Sequence, residues 1–210
     1  MSETVSGQEA LQRLRDGNQR YSTNVRSLDS LLSYMHRAEL SAGQSPIAII
    51  LGCSDSRVPA EVVFDQGLGD LFVIRVAGNI LAPSQVGSVE FAASLYGVRL
   101  VVVLGHTRCG AIQATVDELE GHPPPESENL RFIVDTVRPA IEGLMATDLA
   151  KDHEALMHAA VRANVKATAN HLRHGSRILE KLIAERGLLV VGAEYDLATG
   201  RVEFFDGSEA

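Results

Sequence analysis

The sequence is poor in cysteine, tryptophan and basic residues, and each shortage argues against a class of protein. Of 210 residues, two are cysteine and none is tryptophan, while 19 Lys and Arg are outnumbered by 27 Asp and Glu, for a net charge of −8. Because a nucleic-acid surface needs clustered Lys and Arg, we expect no nucleic-acid partner. No apolar run approaches the roughly 20 residues that span a bilayer, so we expect no membrane partner either.

The N-terminal residues and the rarity of cysteine indicate a cytoplasmic protein. The start, MSETVSGQEALQRL, has neither the basic segment nor the apolar segment of a secretory signal. Thiols stay reduced in the cytoplasm. We therefore expect Cys53 and Cys109 to bind metal, to take part in catalysis or to lie in the core, rather than to form a disulfide.

Apolar runs separated by helical patterns predict a single α/β domain over residues 1–210, with an N-terminal helical arm (1–40) and an α/β core (41–210). The helical patterns of the arm cover residues 7–22 and about 28–40. The strand-like runs of the core lie at 47–52, 71–78, 100–105, 188–195 and 201–205. Since helical segments separate most of these runs, we predict a mostly parallel central sheet with an antiparallel edge strand (201–205), flanked by helices.

Helix start and stop signals divide the rest of the core. Pro83 begins one helical segment and Gly97 ends it, and further helices are predicted over residues 110–119 and 153–174. Ser176 is placed to cap the helix that follows. The crossovers of a parallel sheet would lie in these segments.

The reactive residues of the sequence follow two of the predicted strands. Cys53 lies in IILGCSDSR, whereas His106 and Cys109 lie in VVVLGHTRCG. Open α/β sheets carry their sites at the carboxyl ends of strands, so two neighbouring strands would bring these three residues to one rim. Two thiolates and one imidazole suit zinc and leave one tetrahedral position open, which is typical of a catalytic rather than a structural zinc site.

Two other interpretations concern the same residue types. In the first, Cys109 is a low-pKa nucleophile at the start of helix 110–119, as in phosphatases or sulfurtransferases. Such enzymes need an arginine after the cysteine to close a phosphate-binding loop, and CGAIQATV has none. In the second, His171 and His174, which lie one helical turn apart, bind a metal. Arg173 lies beside them and no carboxylate or thiol is near, so a solvated helix face is favoured.

Cys-x-Asp-x-Arg followed about fifty residues later by His-x-x-Cys resembles the β-class carbonic anhydrases. The segments GQSP, VIRVAGN and EYD are also similar to that family, so the likeness covers most of residues 40–205. The resemblance implies one zinc ion per chain on Cys53, His106 and Cys109, with Asp55 and Arg57 as a catalytic dyad beside it. In a closed state of such a site, Asp55 itself would be a zinc ligand.

The resemblance also implies a substrate pocket. Gln44 matches a substrate-binding glutamine of the plant-like branch, and Phe72 and Tyr195 match residues that this branch contributes across a subunit interface. Ala77 stands where plant forms carry a valine, and Gly110 is assigned to the same pocket.

An assembly and its regulation follow from the same resemblance. We expect a homodimer or a dimer of dimers, with the helix over residues 7–22 packed on the partner subunit. Ile50 stands where another branch has the tryptophan of an inhibitory bicarbonate site, which argues against that form of regulation here.

The activity implied by the resemblance is the reversible hydration of carbon dioxide to bicarbonate and a proton by zinc-bound hydroxide. Asp55 would orient the hydroxide and Arg57 would keep Asp55 ionised. Two thiolates should acidify water less than three histidines do, so we expect an open site at neutral pH and activity that rises above pH ~7. A hydrolase of a CO2 analogue such as CS2 or COS and an inactive zinc-binding homologue remain as alternatives. The intact dyad and Gln44 count against the inactive homologue.

Overall fold

A computed structural model describes residues 5–28 and 40–208, and in these ranges five strands form one sheet. The strands are β1 (Ala48–Gly52), β2 (Leu71–Arg75), β3 (Leu100–His106), β4 (Leu189–Tyr195) and β5 (Val202–Asp206). They are ordered β2-β1-β3-β4-β5, with β5 antiparallel to β4 and every other pair parallel. The prediction of a mostly parallel sheet with an antiparallel edge strand is confirmed.

Helices connect and cover the strands. They are α1 (Gly7–Ser22), α2 (Ala60–Val63), α3 (Pro83–Leu95), α4 (Gly110–Leu119), α5 (Glu128–Ile141), α6 (His153–His174) and α7 (Arg177–Arg186), with 3-10 turns at Ala77–Asn79, Glu142–Ala146 and Asp148–Lys151. Ser176 caps α7 as predicted, because its hydroxyl accepts a hydrogen bond from the Leu179 amide. The predicted helix over about 28–40 lies almost wholly outside the described residues. Within the described ranges, no helix combines the length and the apolar character needed to cross a membrane.

The sheet is buried on both faces, as its continuous apolar strands predict. In β1, Ala48 and Ile50 pack into one core cluster with α1 and α2, whereas Ile49 and Leu51 pack into another with α3, α6 and α7. A third cluster lies under the carboxyl ends of the strands, between α4, α5 and α6, and it contains both cysteines. The functional residues therefore stand on a rim supported by packed helices.

Helix α1 lies with its apolar face on the sheet of its own chain, and the expectation that this helix packs on a partner subunit stays a prediction. Its apolar face buries Ala10, Leu11 and Leu14 in the same cluster as β1 and β3. Gly17 fits only without a side chain, since a Cβ there would lie 1.8 Å from the Phe64 carbonyl oxygen. The apolar face of α1 is buried within its own subunit and is not available to a neighbouring one.

Buried Asn18 joins α1 to two distant segments. Its amide donates to the carbonyl oxygens of Val63 (3.1 Å) and Gly200 (2.9 Å), and its side-chain oxygen accepts from the Val202 amide at 2.8 Å. We predict that Asn18→Leu lowers the free energy of unfolding by about 3 kcal/mol, because one buried and two partly buried backbone groups lose their partner. Urea unfolding measures this change.

The matched control for this substitution is Gln12→Leu on the same helix. The Gln12 amide is exposed and, within the described part of the chain, bonds only the Asp16 carboxylate, at 2.8 Å. We expect its free energy of unfolding to stay within about 0.5 kcal/mol of wild type. Equal stabilities for the two variants would contradict the integration of α1 into its own subunit.

Candidate metal centre and active site

Two adjacent parallel strands bring Cys53, His106 and Cys109 to one rim of the sheet. Gly52 of β1 pairs with Leu104 of β3, so Cys53, directly after β1, lies level with the end of β3, where His106 is the last residue. Cys109 is the N-cap of α4. All three side chains are buried, and their ligand atoms lie within 4.8 Å of one another. The predicted constellation is therefore assembled in the structure.

The His106 ring is oriented as a metal ligand. Its Nδ1 lies 2.9 Å from the Thr107 carbonyl oxygen, which can only accept a hydrogen bond, so Nδ1 carries the proton. The lone pair of Nε2 then points into the cluster, and this buried atom has no hydrogen-bond partner among the described residues. An unpartnered buried nitrogen beside two thiols fits a bound cation.

The two thiols are coupled. Cys53 Sγ and Cys109 Sγ are 4.0 Å apart. Hydrogen bonding from Cys109 lowers the pKa of Cys53 to about 4, and the same hydrogen bond together with burial raises the pKa of Cys109. A metal-free pair therefore shares one proton, whereas a divalent cation would let both thiols ionise. Two thiolates and one neutral imidazole are the donor set that zinc prefers.

Asp55 and Arg57 form a bidentate ion pair beside this cluster. Asp55 Oδ1 accepts from the Arg57 amide and from Nε, both at 2.9 Å, and Oδ2 accepts from Nη2 at 2.6 Å. The hydrogen bonds from Arg57 hold the pKa of Asp55 well below its usual range. Asp55 Oδ2 lies 3.9 Å from His106 Nε2, so an ionised carboxylate borders the metal-binding position.

The alternative sites find no support. Cys109 is 1% exposed and engaged with Cys53, which does not suit a nucleophile open to substrate. Within the described residues, the cluster of Cys53, His106 and Cys109 is the one group of three or more His, Cys, Asp or Glu arranged to hold a metal ion, so His171 and His174 do not form one.

Four of the five predicted pocket residues form two groups, one near the centre and one away from it. Ala77 opens the turn in which the Gly78 amide donates to Cys53 Sγ at 3.4 Å, and Gly110 follows Cys109 at the start of α4. Gln44 and Phe72 lie together elsewhere, at an aromatic cluster formed by Phe72, Phe91 and Tyr96.

The aromatic cluster includes Phe91 and Tyr96, two residues that the sequence pattern does not identify as candidates. Phe72 stacks on Phe91 with ring centroids 6.4 Å apart, and the Gln44 amide donates to the Tyr96 hydroxyl at 3.0 Å. Phe91 is 47% exposed and Tyr96 is 37% exposed. Their only sequence signal is the pair of aromatics in EFAASLYG near the end of a predicted helix, which has no motif character.

Tyr195 lies apart from Phe72. It is 3% exposed, packs on the face of the sheet that α1 covers, and its hydroxyl lies 3.1 Å from that of Tyr21. Phe72 packs toward the opposite face. The structure therefore does not bring together the two residues that we expected at one interface.

Known proteins of similar sequence share one description. The family model described as carbonic anhydrase matches residues 48–202. The chain is 40% identical to the carbonic anhydrase of Mycolicibacterium smegmatis over 196 residues, which cover 90% of this chain and 89% of that protein. It is 37% identical to carbonic anhydrase 2 of Mycobacterium tuberculosis over 198 residues, which cover 92% and 90%.

Solved structures extend the likeness to the fold. The β-carbonic anhydrase CafA of Aspergillus fumigatus superposes with a TM-score of 0.74 at 28% identity, over 92% of this chain and 89% of that one. A tetrameric β-carbonic anhydrase of Sordaria macrospora gives a TM-score of 0.73 at 24% identity, over 84% and 92%, and this second likeness shows the fold alone.

The geometry predicts that each chain binds one divalent cation through two sulfurs and one nitrogen. Cobalt(II) added to metal-free protein should give a sulfur-to-cobalt absorption band at one ion per chain. Alanine in place of Cys53, His106 or Cys109 removes one of three ligands and should weaken binding by at least roughly a hundredfold in a chelator competition.

His174→Ala is the control for this measurement, because His174 belongs to no described metal-binding group. It should bind cobalt as wild type does. Undiminished binding by Cys109→Ala would show that the metal lies elsewhere.

Proposed function

Since the chain belongs to the β-class carbonic anhydrases, a family of enzymes, we propose that it catalyses the reversible hydration of carbon dioxide to bicarbonate and a proton with one zinc ion per chain. The observation that carries the proposal is the buried cluster of Cys53, His106 and Cys109 with an ionised Asp55 at its border. A site that only stored metal would have no use for the Asp55–Arg57 pair.

The three ligands would hold zinc with one coordination position open, and the Asp55 carboxylate, 3.9 Å from His106 Nε2, would lie near the ion. When bound, zinc supplies Lewis acidity that lowers the pKa of a water molecule in the open position. The charges of two thiolates offset that of the ion, so this acidification should be weaker than with three neutral ligands. Activity should therefore still rise above pH ~7.

Asp55 acts in this proposal as a hydrogen-bond acceptor that orients the nucleophile. Its pKa is too low for it to carry a proton near neutral pH, so it remains an acceptor throughout. Arg57 fixes the carboxylate by two side-chain hydrogen bonds and one from its amide. Asp55 is paired with Arg57, and this pairing supports the proposal of an open site at neutral pH.

Substrate would contact both apolar and polar groups. Ala77 and Gly110 adjoin the metal-binding residues and offer little bulk, which suits a small apolar molecule such as carbon dioxide. Gln44 would donate its amide to bicarbonate. Because Gln44 and Phe72 lie at the exposed aromatic cluster, we propose that they complete the pocket of a neighbouring subunit.

The proposed assembly is a homodimer, or a dimer of dimers, that buries the aromatic cluster. Exposed aromatic side chains grouped on one surface are typical of an interface. The interface role of Tyr195 stays a prediction, since its phenol is engaged with Tyr21 inside the subunit. We also propose a cytoplasmic location, because thiol ligands need a compartment that keeps cysteine reduced.

The central test is carbon dioxide hydration by the zinc-loaded protein, followed by stopped flow with a pH indicator. Wild type should be active and its rate should increase from pH 7 to about pH 9. Asp55→Asn should retain zinc but lose roughly a hundredfold in kcat, because it no longer orients the nucleophile as a charged acceptor.

Asp148→Asn is the matched control, as Asp148 is exposed and, among the described residues, its carboxylate pairs only with Lys151 at 2.7 Å. It should leave kcat unchanged. A zinc-loaded wild type that fails to hydrate carbon dioxide but hydrolyses CS2 or COS would establish the alternative activity, and failure on all three substrates would indicate an inactive homologue.

The assembly is tested by measuring the sedimenting mass of variants in which one of two exposed phenylalanines is replaced by aspartate. Phe91→Asp places a charge in the aromatic cluster and should convert the dimer into a 22.6 kDa monomer. Phe132→Asp changes a similarly exposed phenylalanine of α5 (54% against 47%) and should not alter the mass. A wild type that sediments only at 22.6 kDa at micromolar concentration would exclude the dimer.

A further inference from the structure

Arg75 joins the end of β2 to the loop that follows β1 and carries Cys53 and Asp55. Its Nε donates to the carbonyl oxygen of Cys53 at 2.9 Å, and its Nη2 donates to the carbonyl oxygen of Asp55 at 2.5 Å. Arg75 pairs in register with Gly52, the last residue of β1. The guanidinium thus continues the connection between the two strands beyond the point where their backbone pairing ends.

The loop needs such an attachment because its other hydrogen bonds are mostly internal. The ion pair of Asp55 and Arg57 joins residues two apart, and the Asp55 carbonyl also accepts from the Val58 amide, at 3.0 Å. These bonds make the loop rigid but do not fix it to the sheet. Among the described residues, the other bonds from outside reach the Cys53 sulfur, from the Gly78 amide at 3.4 Å and from Cys109 Sγ at 4.0 Å, or are long, as from Arg57 Nη2 to the Arg108 carbonyl at 3.4 Å.

We propose that Arg75 is a positioning residue, which holds the backbone of Cys53 and Asp55 so that the carboxylate lies at the border of the metal site. Arg57 fixes the side chain of Asp55, whereas Arg75 fixes its main chain. A shift of about 1 Å in a catalytic group costs roughly a hundredfold in rate, so this attachment has a measurable kinetic effect. The kinetic part of the inference rests on the proposed function.

Arginine is suited to this role because its planar group donates from two nitrogens at fixed spacing. A lysine at the same place keeps the positive charge but offers one ammonium group, which cannot reproduce the pair of bonds from Nε and Nη2. Arg75→Lys therefore separates the effect of geometry from that of charge, and Arg75→Met removes both while it retains the bulk of the aliphatic chain.

The experiment compares Arg75→Met, Arg75→Lys and the control Arg131→Met, which removes a charge from an exposed position of α5. All three should bind one cobalt or zinc ion per chain. Arg75→Met should lower kcat by roughly tenfold to a hundredfold with KM for carbon dioxide nearly unchanged, and Arg75→Lys should recover part of the loss. The visible bands of cobalt-loaded Arg75→Met should shift, because Asp55 moves relative to the metal, whereas Arg131→Met should match wild type.

The outcomes distinguish this inference from the proposed function. Wild-type kcat and cobalt bands in Arg75→Met would overturn the positioning role, as would a fall in kcat that merely follows a fall in bound metal. If Arg75→Met does not fold, the same two readings on Arg75→Lys decide the question. If wild type itself does not hydrate carbon dioxide, the proposed function fails, and the cobalt bands alone then confirm or overturn the positioning of Asp55.

Discussion

The parallel pairing of β1 with β3 is the constraint on which the centre depends. Parallel neighbours end at the same rim of a sheet, so Cys53 and His106 meet there although 52 residues separate them in the chain. The register is equally important, because side chains alternate along a strand and a slip of one residue would turn His106 to the other face. Both strands are buried along their whole length, so a slip would also force each side chain into a packing site shaped for another residue.

The charges of the centre explain why the fold and a metal ion should stabilise each other. Two thiols 4.0 Å apart cannot both ionise in a buried site without a cation, and His106 Nε2 has no hydrogen-bond partner among the described residues. Burial lowers the pKa of His106, yet the neighbouring Cys53 sulfur and the Thr107 carbonyl raise it, so a proton and a metal compete for the same nitrogen. Metal binding would release protons, would let both thiols ionise and would give His106 Nε2 a partner.

The sequence was most informative where burial leaves a continuous apolar run, and less so where a helix depends on tertiary contacts. All five strands were predicted, but α5 was not, because it follows a proline-rich loop and contains Pro139, a residue that usually ends a helix. Its buried Val134, Val137 and Ile141 have helical spacing that shows only once the boundaries are known. The apolar face of α1 was recognised, yet the pattern does not tell which chain covers it.

Side-chain direction was the other quantity that could not be read from the sequence. Every β4 residue from Val190 to Tyr195 is buried, so the strand lacks the alternation of polar and apolar residues that would assign its faces. Tyr195 turns to α1 and Tyr21, while Glu194 turns to α6, where its carboxylate lies 3.1 Å from His158. Contacts such as Gln44 with Tyr96, or Arg75 with the Cys53 loop, join residues 52 and about 20 apart and have no fixed spacing. Metal ligands can be identified from motif chemistry because few residue types bind zinc, whereas carbonyl-binding arginines and stacked aromatics are specified only by the folded backbone.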